Sequence, residues 1–126
     1  MMDFKRSIGV LPASDLARAR TYYKDMLGLE PEEDMDDEGG SLYSVGGSMF
    51  MLYQTSFAGT AKNTALTLET GDLAATMADM RGRGVAFEEY DMPGLKTENG
   101  VAELGGEHTA WFIDSEGNII AIAQRS

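Results

Sequence analysis

Two stretches decide the fold: DLARARTYYKDMLGLEP at residues 15–31 and HTAWFIDSEGNIIAIAQ at residues 108–124. In the first, Leu16, Ala19, Tyr23, Met26 and Leu27 recur at helical spacing, Ser14 or Asp15 can cap the first turn, and Gly28 can end the last. This predicts an amphipathic helix. In the second, apolar runs at 109–113 and 118–123 flank Ser115, Glu116 and Gly117, which predicts two antiparallel strands joined by a turn.

Outward from these stretches, residues 8–11 read as a buried strand that Pro12 stops, because proline lacks the donor a continuing ladder needs. Strands are expected at 29–34, 41–45 and 48–54, separated by the turn signals Gly39-Gly40 and Gly46-Gly47. A second round then begins with a strand at 64–69, a helix from Asp72 to about Arg81 and a strand at 85–90. The two rounds superimpose. At an offset of 57, Asp15, Leu16 and Ala17 fall on Asp72, Leu73 and Ala74; after one dropped residue Gly28, Glu32 and Glu33 fall on Gly84, Glu88 and Glu89. At an offset of 70, Gly47 and Gln54 fall on Gly117 and Gln124. Matches in one order on the same elements indicate an internal duplication. Residues 91–106 have no counterpart of that length. With Pro93, Gly94 and an apolar patch at 101–104, they read as a flap with one short strand, either a lid or a plain surface loop.

Composition narrows the function. The 126 residues carry 43% hydrophobic and 25% charged side chains, the profile of one globular domain. No apolar run approaches the roughly 20 residues of a membrane span, and the opening MMDFKRSIGV lacks a secretory pattern, so a cytoplasmic protein without membrane partners is expected. Zero cysteines exclude disulfides, thiolate metal sites and thiol nucleophiles. A formal charge of −11 argues against nucleic acid as a partner. Seven of the 21 acidic residues crowd into 30–38, best read as a solvated turn. Asp34, Asp36, Glu38 and Gly39 imitate a calcium loop, but Val45 stands where the twelfth position needs a glutamate.

The duplicated strand, helix and three strands, with residues 15–31 in the first unit and the Phe-x-Asp-x-x-Gly-Asn turn from Phe112 to Asn118 in the second, resembles the vicinal oxygen chelate superfamily of glyoxalase I, bleomycin-binding proteins and extradiol dioxygenases. The likeness covers nearly the whole chain. It implies an α+β fold of two tandem βαβββ modules, about 5–55 and about 62–126, whose curled mixed sheet surrounds a cavity within one domain spanning 1–126. It also implies a homodimer, because small members complete their cavities across a subunit interface. Enzymes of the superfamily hold a divalent metal on four strand positions drawn from His, Glu and Gln. The matching positions here are Ile8, Met51, Ala65 and Ala121, and none of their immediate neighbours is His, Glu or Asp. No metal and no other cofactor is therefore expected.

Met49, Met51 and Tyr53 share one strand face by period two, matched by Ile119, Ala121 and Ala123 on the last strand. In the superfamily this face looks into the cavity, so it becomes either a dry, adaptable ligand wall or ordinary core. Trp111 and Phe112 alternate, and either can face the cavity. Tyr43, Tyr53 and Trp111 are the aromatic candidates for stacking a flat ligand, with Glu103 and His108 as polar edges. The ligand-binding set is thus Ile8, Tyr43, Met49, Met51, Tyr53, Ala65, Glu103, His108, Trp111 and Ala121. Two functions follow. The first is a metal-independent, bleomycin-resistance-like protein that sequesters an apolar or aromatic small molecule, a cationic one being favoured by the charge. The second is a metal-independent lyase, isomerase or dioxygenase-like enzyme in which His108, the single histidine, or a pocket carboxylate moves a proton.

Overall fold

The structure, a computed structural model, describes residues 2–34 and 40–125. The end of the acidic run from residue 35 to 38, the core of the calcium-like stretch and the first glycine of the Gly39-Gly40 turn lie outside the described residues. The first module is β1 (Gly9–Ala13), α1 (Leu16–Leu27), β2 (Glu33–Asp34), β3 (Gly40–Val45) and β4 (Ser48–Gln54). The second is β5 (Thr64–Glu69), α2 (Leu73–Gly82), a hairpin of β6 (Asp91–Met92) and β7 (Leu95–Lys96), then β8 (Val101–Leu104), β9 (Glu107–Ile113) and β10 (Ile119–Arg125). Each module builds its own four-stranded sheet, in the orders β1-β4-β3-β2 and β5-β10-β9-β8. In each, the first strand runs parallel to the last and the other pairings are antiparallel.

The duplication has a physical content that the offsets only hinted at. Asp15 and Asp72 are both N-caps, each accepting from the amide three residues on, Arg18 and Ala75, at 3.0 Å. Gln54 and Gln124 close the opposite ends of their modules by accepting the first helical amide, Leu16 at 3.0 Å and Leu73 at 2.7 Å. Each glutamine thereby ties the last strand of a module to the start of its helix and satisfies an amide with no partner inside the helix. Gly28 ends α1 in the left-handed conformation, φ 69°, as expected.

Three sequence expectations need correction. Pro12 does not stop β1 but lies inside it opposite Tyr53; β1 is an edge strand, where a missing donor costs no ladder bond. The strand expected at 85–90 is reduced to an isolated Phe87–Phe112 bridge, because Glu89 and Tyr90 leave the sheet to start the β6–β7 hairpin. The expected short strand at 101–104 forms β8 and takes the sheet edge that β2 holds in the first module. Similarly, only Glu33–Asp34 of the expected 29–34 strand enters a ladder.

One core joins the modules. Leu11, Ala13, Phe50 and Leu52 from the first sheet and Ala110, Phe112, Ile120 and Ile122 from the second belong to the same buried cluster as Leu16, Ala19 and Tyr23 of α1 and Leu73, Met77 and Met80 of α2. Both sheets thus turn their helix-covered sides inward. The β9–β10 turn then locks onto the first module. Asp114 accepts from the Glu116 and Asn118 amides, Asn118 donates through Nδ2 to the Pro12 carbonyl at 3.0 Å, and Tyr23 donates its hydroxyl to Asp114 at 2.6 Å. Gly117, at φ 85°, lies so close to the segment between modules that a Cβ would stand 2.7 Å from Gly59 Cα.

Burial, and then the neighbouring Asp114 carboxylate, push the Tyr23 phenol well up, so it stays a donor at any working pH. Tyr23→Phe keeps the ring but deprives a buried carboxylate of one donor. It is expected to cost about 2 kcal/mol of unfolding free energy, measured by urea titration.

Candidate functional site

In a strand, successive side chains point to opposite faces, and cross-strand partners share a face. In the first sheet Met51 pairs with Val10 and Leu42, so these three share the side turned away from α1, together with Met49 and Tyr53. On that side Val10 is 49% and Tyr53 37% exposed, whereas Leu42 is buried. Ile8 is half-buried just before β1. Tyr43 pairs with Phe50 and so lies on the opposite, helix-covered side, with its ring stacked on Phe50 at 5.0 Å and tilted against Tyr23. Its expected role as a ligand-stacking ring is corrected by this register.

In the second sheet the same reasoning separates Trp111 from Phe112. Phe112 pairs with Ile120 in the main core, whereas Trp111 pairs with Ala121 on the far face. There Ala102, Trp111 and Ala121 form a separate apolar cluster, against which Tyr90, Leu95 and Ile119 pack. The Trp111 indole donates to Thr64 Oγ1 at 3.2 Å. A bulge makes this contact: Ile119 pairs with Thr64 but Ile120 with Leu66, which leaves Ala65 as the extra residue. Thr64, rather than the expected Ala65, therefore shares the Trp111 side.

Glu103 pairs with His108, with 3.8 Å between carboxylate and imidazole, and both are exposed. His108 also pairs with Gln124, and with Leu73, Ala74, Met77 and Val101 it borders a hollow of about 310 Å³ beside α2. His108 and Trp111 are three positions apart, an odd offset, so the two face opposite sides of the sheet. Glu103 and His108 are consequently not polar edges of the Trp111 face.

The apolar residues that cluster with Ala121 on this face come from the second module, and Met51 is not among them. The divalent metal implied by the superfamily does not fit the matched positions: Ile8, Ala65 and Ala121 have no donor atoms, and Met51 offers a soft thioether. Among the described residues no three His, Cys, Asp or Glu side chains gather as a potential metal site.

The result is a duplicated βαβββ protein with an apolar face on each sheet, away from a shared helical core. A sequence model of the Glyoxalase/Bleomycin resistance protein/Dioxygenase superfamily matches residues 8–125, and the chain belongs to that superfamily. No curated protein matches the sequence. Similar solved structures include UcmS2, 17% identical at a TM-score of 0.75, with 97% of this chain and 98% of that chain covered. TnmS3, an antibiotic binding protein from a Streptomyces species, is 24% identical at a TM-score of 0.70, covering 100% and 99%. A glyoxalase / bleomycin resistance protein from Catenulispora acidiphila is 21% identical at 0.67, covering 96% and 98%. Likeness at these identities concerns the fold. Among the described residues no helix is long and apolar enough to cross a membrane.

Proposed function

We propose that this chain, acting as one domain, binds an apolar or aromatic small molecule without transforming it. The observation that carries this reading is the Ala102–Trp111–Ala121 cluster, an apolar and aromatic patch on the sheet side where the superfamily presents its metal ligands. Burial and stacking supply affinity on such a surface. The net charge of −11 favours a cationic ligand by long-range attraction. The antibiotic-binding relative TnmS3 supports the same class of function. The exposed Val10–Met51–Tyr53 face of the first module supports a homodimer, in which that face of one copy meets the Trp111 face of another and the curled cavity is completed between them. No observation favours the enzymatic alternative, since His108 borders the helix side of its sheet.

The test is a thermal-shift screen of metabolites and antibiotics, with light scattering on the same samples. A ligand at about 100 times its Kd adds about 2.7 kcal/mol, which raises Tm by roughly 10 °C. Such a hit should change the fluorescence of Trp111, the single tryptophan, saturably, and should be recovered chemically unchanged. Turnover of the hit, or no stabilisation by any compound, defeats the reading; a mass of 13.6 kDa at all concentrations defeats the dimer.

A further inference from the structure

Tyr90, immediately before the flap, and Leu95 within it are both half-buried against Ala102, Trp111 and Ala121. The Tyr90 and Trp111 rings meet at 84° with centroids 5.6 Å apart, a T-shaped pair. The flap therefore already occupies the surface on which a flat ligand would rest.

Its construction is light at the tip and firm at the base. The β6–β7 ladder has two residue pairs, Asp91 with Lys96 and Met92 with Leu95, closed by Pro93 and Gly94, and Met92 at its tip is 52% exposed. At the base, Tyr90 and Thr97 are bonded to each other: the Tyr90 amide donates to Thr97 Oγ1 at 2.8 Å and the Thr97 amide to the Tyr90 carbonyl at 2.9 Å. Thr97 Oγ1 and the Gly100 amide both donate to the Glu89 carboxylate, and these bonds hold that carboxyl below its ordinary range. Four bonded residues, Glu89, Tyr90, Thr97 and Gly100, thus anchor a two-pair hairpin, whose side chains Tyr90 and Leu95 meet the Trp111 face through apolar contact. Burial, and then the nearby Glu88 carboxylate, push the Tyr90 phenol up from its ordinary value.

We propose that Tyr90 is the specificity-determining residue of the Trp111 face: its ring is a built-in occupant that a ligand must displace, and the class it selects is flat aromatic molecules. This rests on the ligand site proposed above. Lifting Tyr90 uncovers Trp111 and forfeits a ring contact. A flat aromatic ligand restores that contact, whereas an aliphatic one restores only area. The population with the Tyr90 ring swung aside scales the apparent affinity, so weakening the plug tightens binding.

The probe is thioflavin T, a flat cationic dye, titrated into the full chain and its Tyr90→Ala, Leu95→Ala and Tyr90→Phe variants, with acrylamide quenching of Trp111 measured before dye is added. The expected result is binding about five-fold tighter in Tyr90→Ala and Leu95→Ala, corresponding to the loss of one aromatic or apolar plug contact, and unchanged within about two-fold in Tyr90→Phe. Trp111 should be sheltered from acrylamide in the parent and Tyr90→Phe proteins and freed in the other two. Weaker dye binding by Tyr90→Ala makes Tyr90 a wall rather than a plug and overturns this inference alone. Free quenching of Trp111 in the parent protein overturns it as well. Dye binding by none of the four proteins, with Trp111 sheltered and then freed as expected, instead overturns the ligand-site reading and Tyr90's selective role with it.

Discussion

Glu116→Ala is expected to destabilise the protein by about 3 kcal/mol, the larger of the two effects argued here, because Glu116 is the buried centre of the contact between modules. Its side chain is fully buried and comes from the β9–β10 turn of the second module. From the first module it accepts from the Asp15 amide at 3.0 Å, the Ser14 hydroxyl at 3.3 Å, and Arg18 Nε and Nη2 at 2.8 and 3.1 Å. Ser115 adds a fifth donor at 2.8 Å. Alanine leaves these donors facing a void that water fills incompletely. The half-exposed Arg18 rehydrates, which keeps the loss below that of a fully buried pair.

The pH dependence of the same group checks the assignment. Burial alone pushes the Glu116 carboxyl up, but the hydrogen bonds from Arg18, the Asp15 amide and Ser115 outweigh it and hold the group down at about 2, against an ordinary 4.5. A depressed folded pKa means stability that is complete above about 4.5 and disappears as pH falls toward about 2. Urea titrations of the parent and Glu116→Gln proteins between pH 7 and pH 2.5 should therefore converge at the acid end. Glu89, also held low, adds to the acid sensitivity of both proteins and cancels in the difference. A gap between the two that stays constant down to pH 2.5 would mean that Glu116 is not the latch.

The second large effect concerns binding. Trp111→Ala is expected to weaken the ligand found by the thermal-shift screen by about 30-fold, equivalent to about 2 kcal/mol, as stacking and burial against the indole are lost. Because Trp111 belongs to the small far-face cluster and not to the core that joins the modules, the fold should survive, with circular dichroism unchanged. Trp111→Phe, which keeps an aromatic face but not the bond to Thr64, should recover most of the affinity. Since the alanine variant has no tryptophan, its affinity is read by calorimetry. Equal affinities for the parent and Trp111→Ala would remove the Trp111 face as the site.

Local chemistry carried most of the fold into the sequence. The caps at Asp15 and Asp72, the glycine stop at Gly28 and the period-two runs of β4, β5 and β10 depend on neighbours within a few residues, and their repetition exposed the duplication. Part of the candidate site was equally legible: the spacing of His108 from Trp111 and the pairing parity of Tyr43 and Met51 already set them on opposite faces once the strands are accepted. Alternation, however, gives relative and not absolute facing. That Phe112 enters the core and Trp111 the far face was decided by which side of the sheet α2 covers. The bulge that sets Thr64 instead of Ala65 beside the indole, and the hairpin that seats Tyr90 on Trp111, are likewise tertiary outcomes. So is the clasp of Arg18 on Glu116, whose partners stand 98 residues apart. Contacts of that separation are chosen by how two packed modules fit, and a pattern read within a window of one helix or strand has no access to that fit.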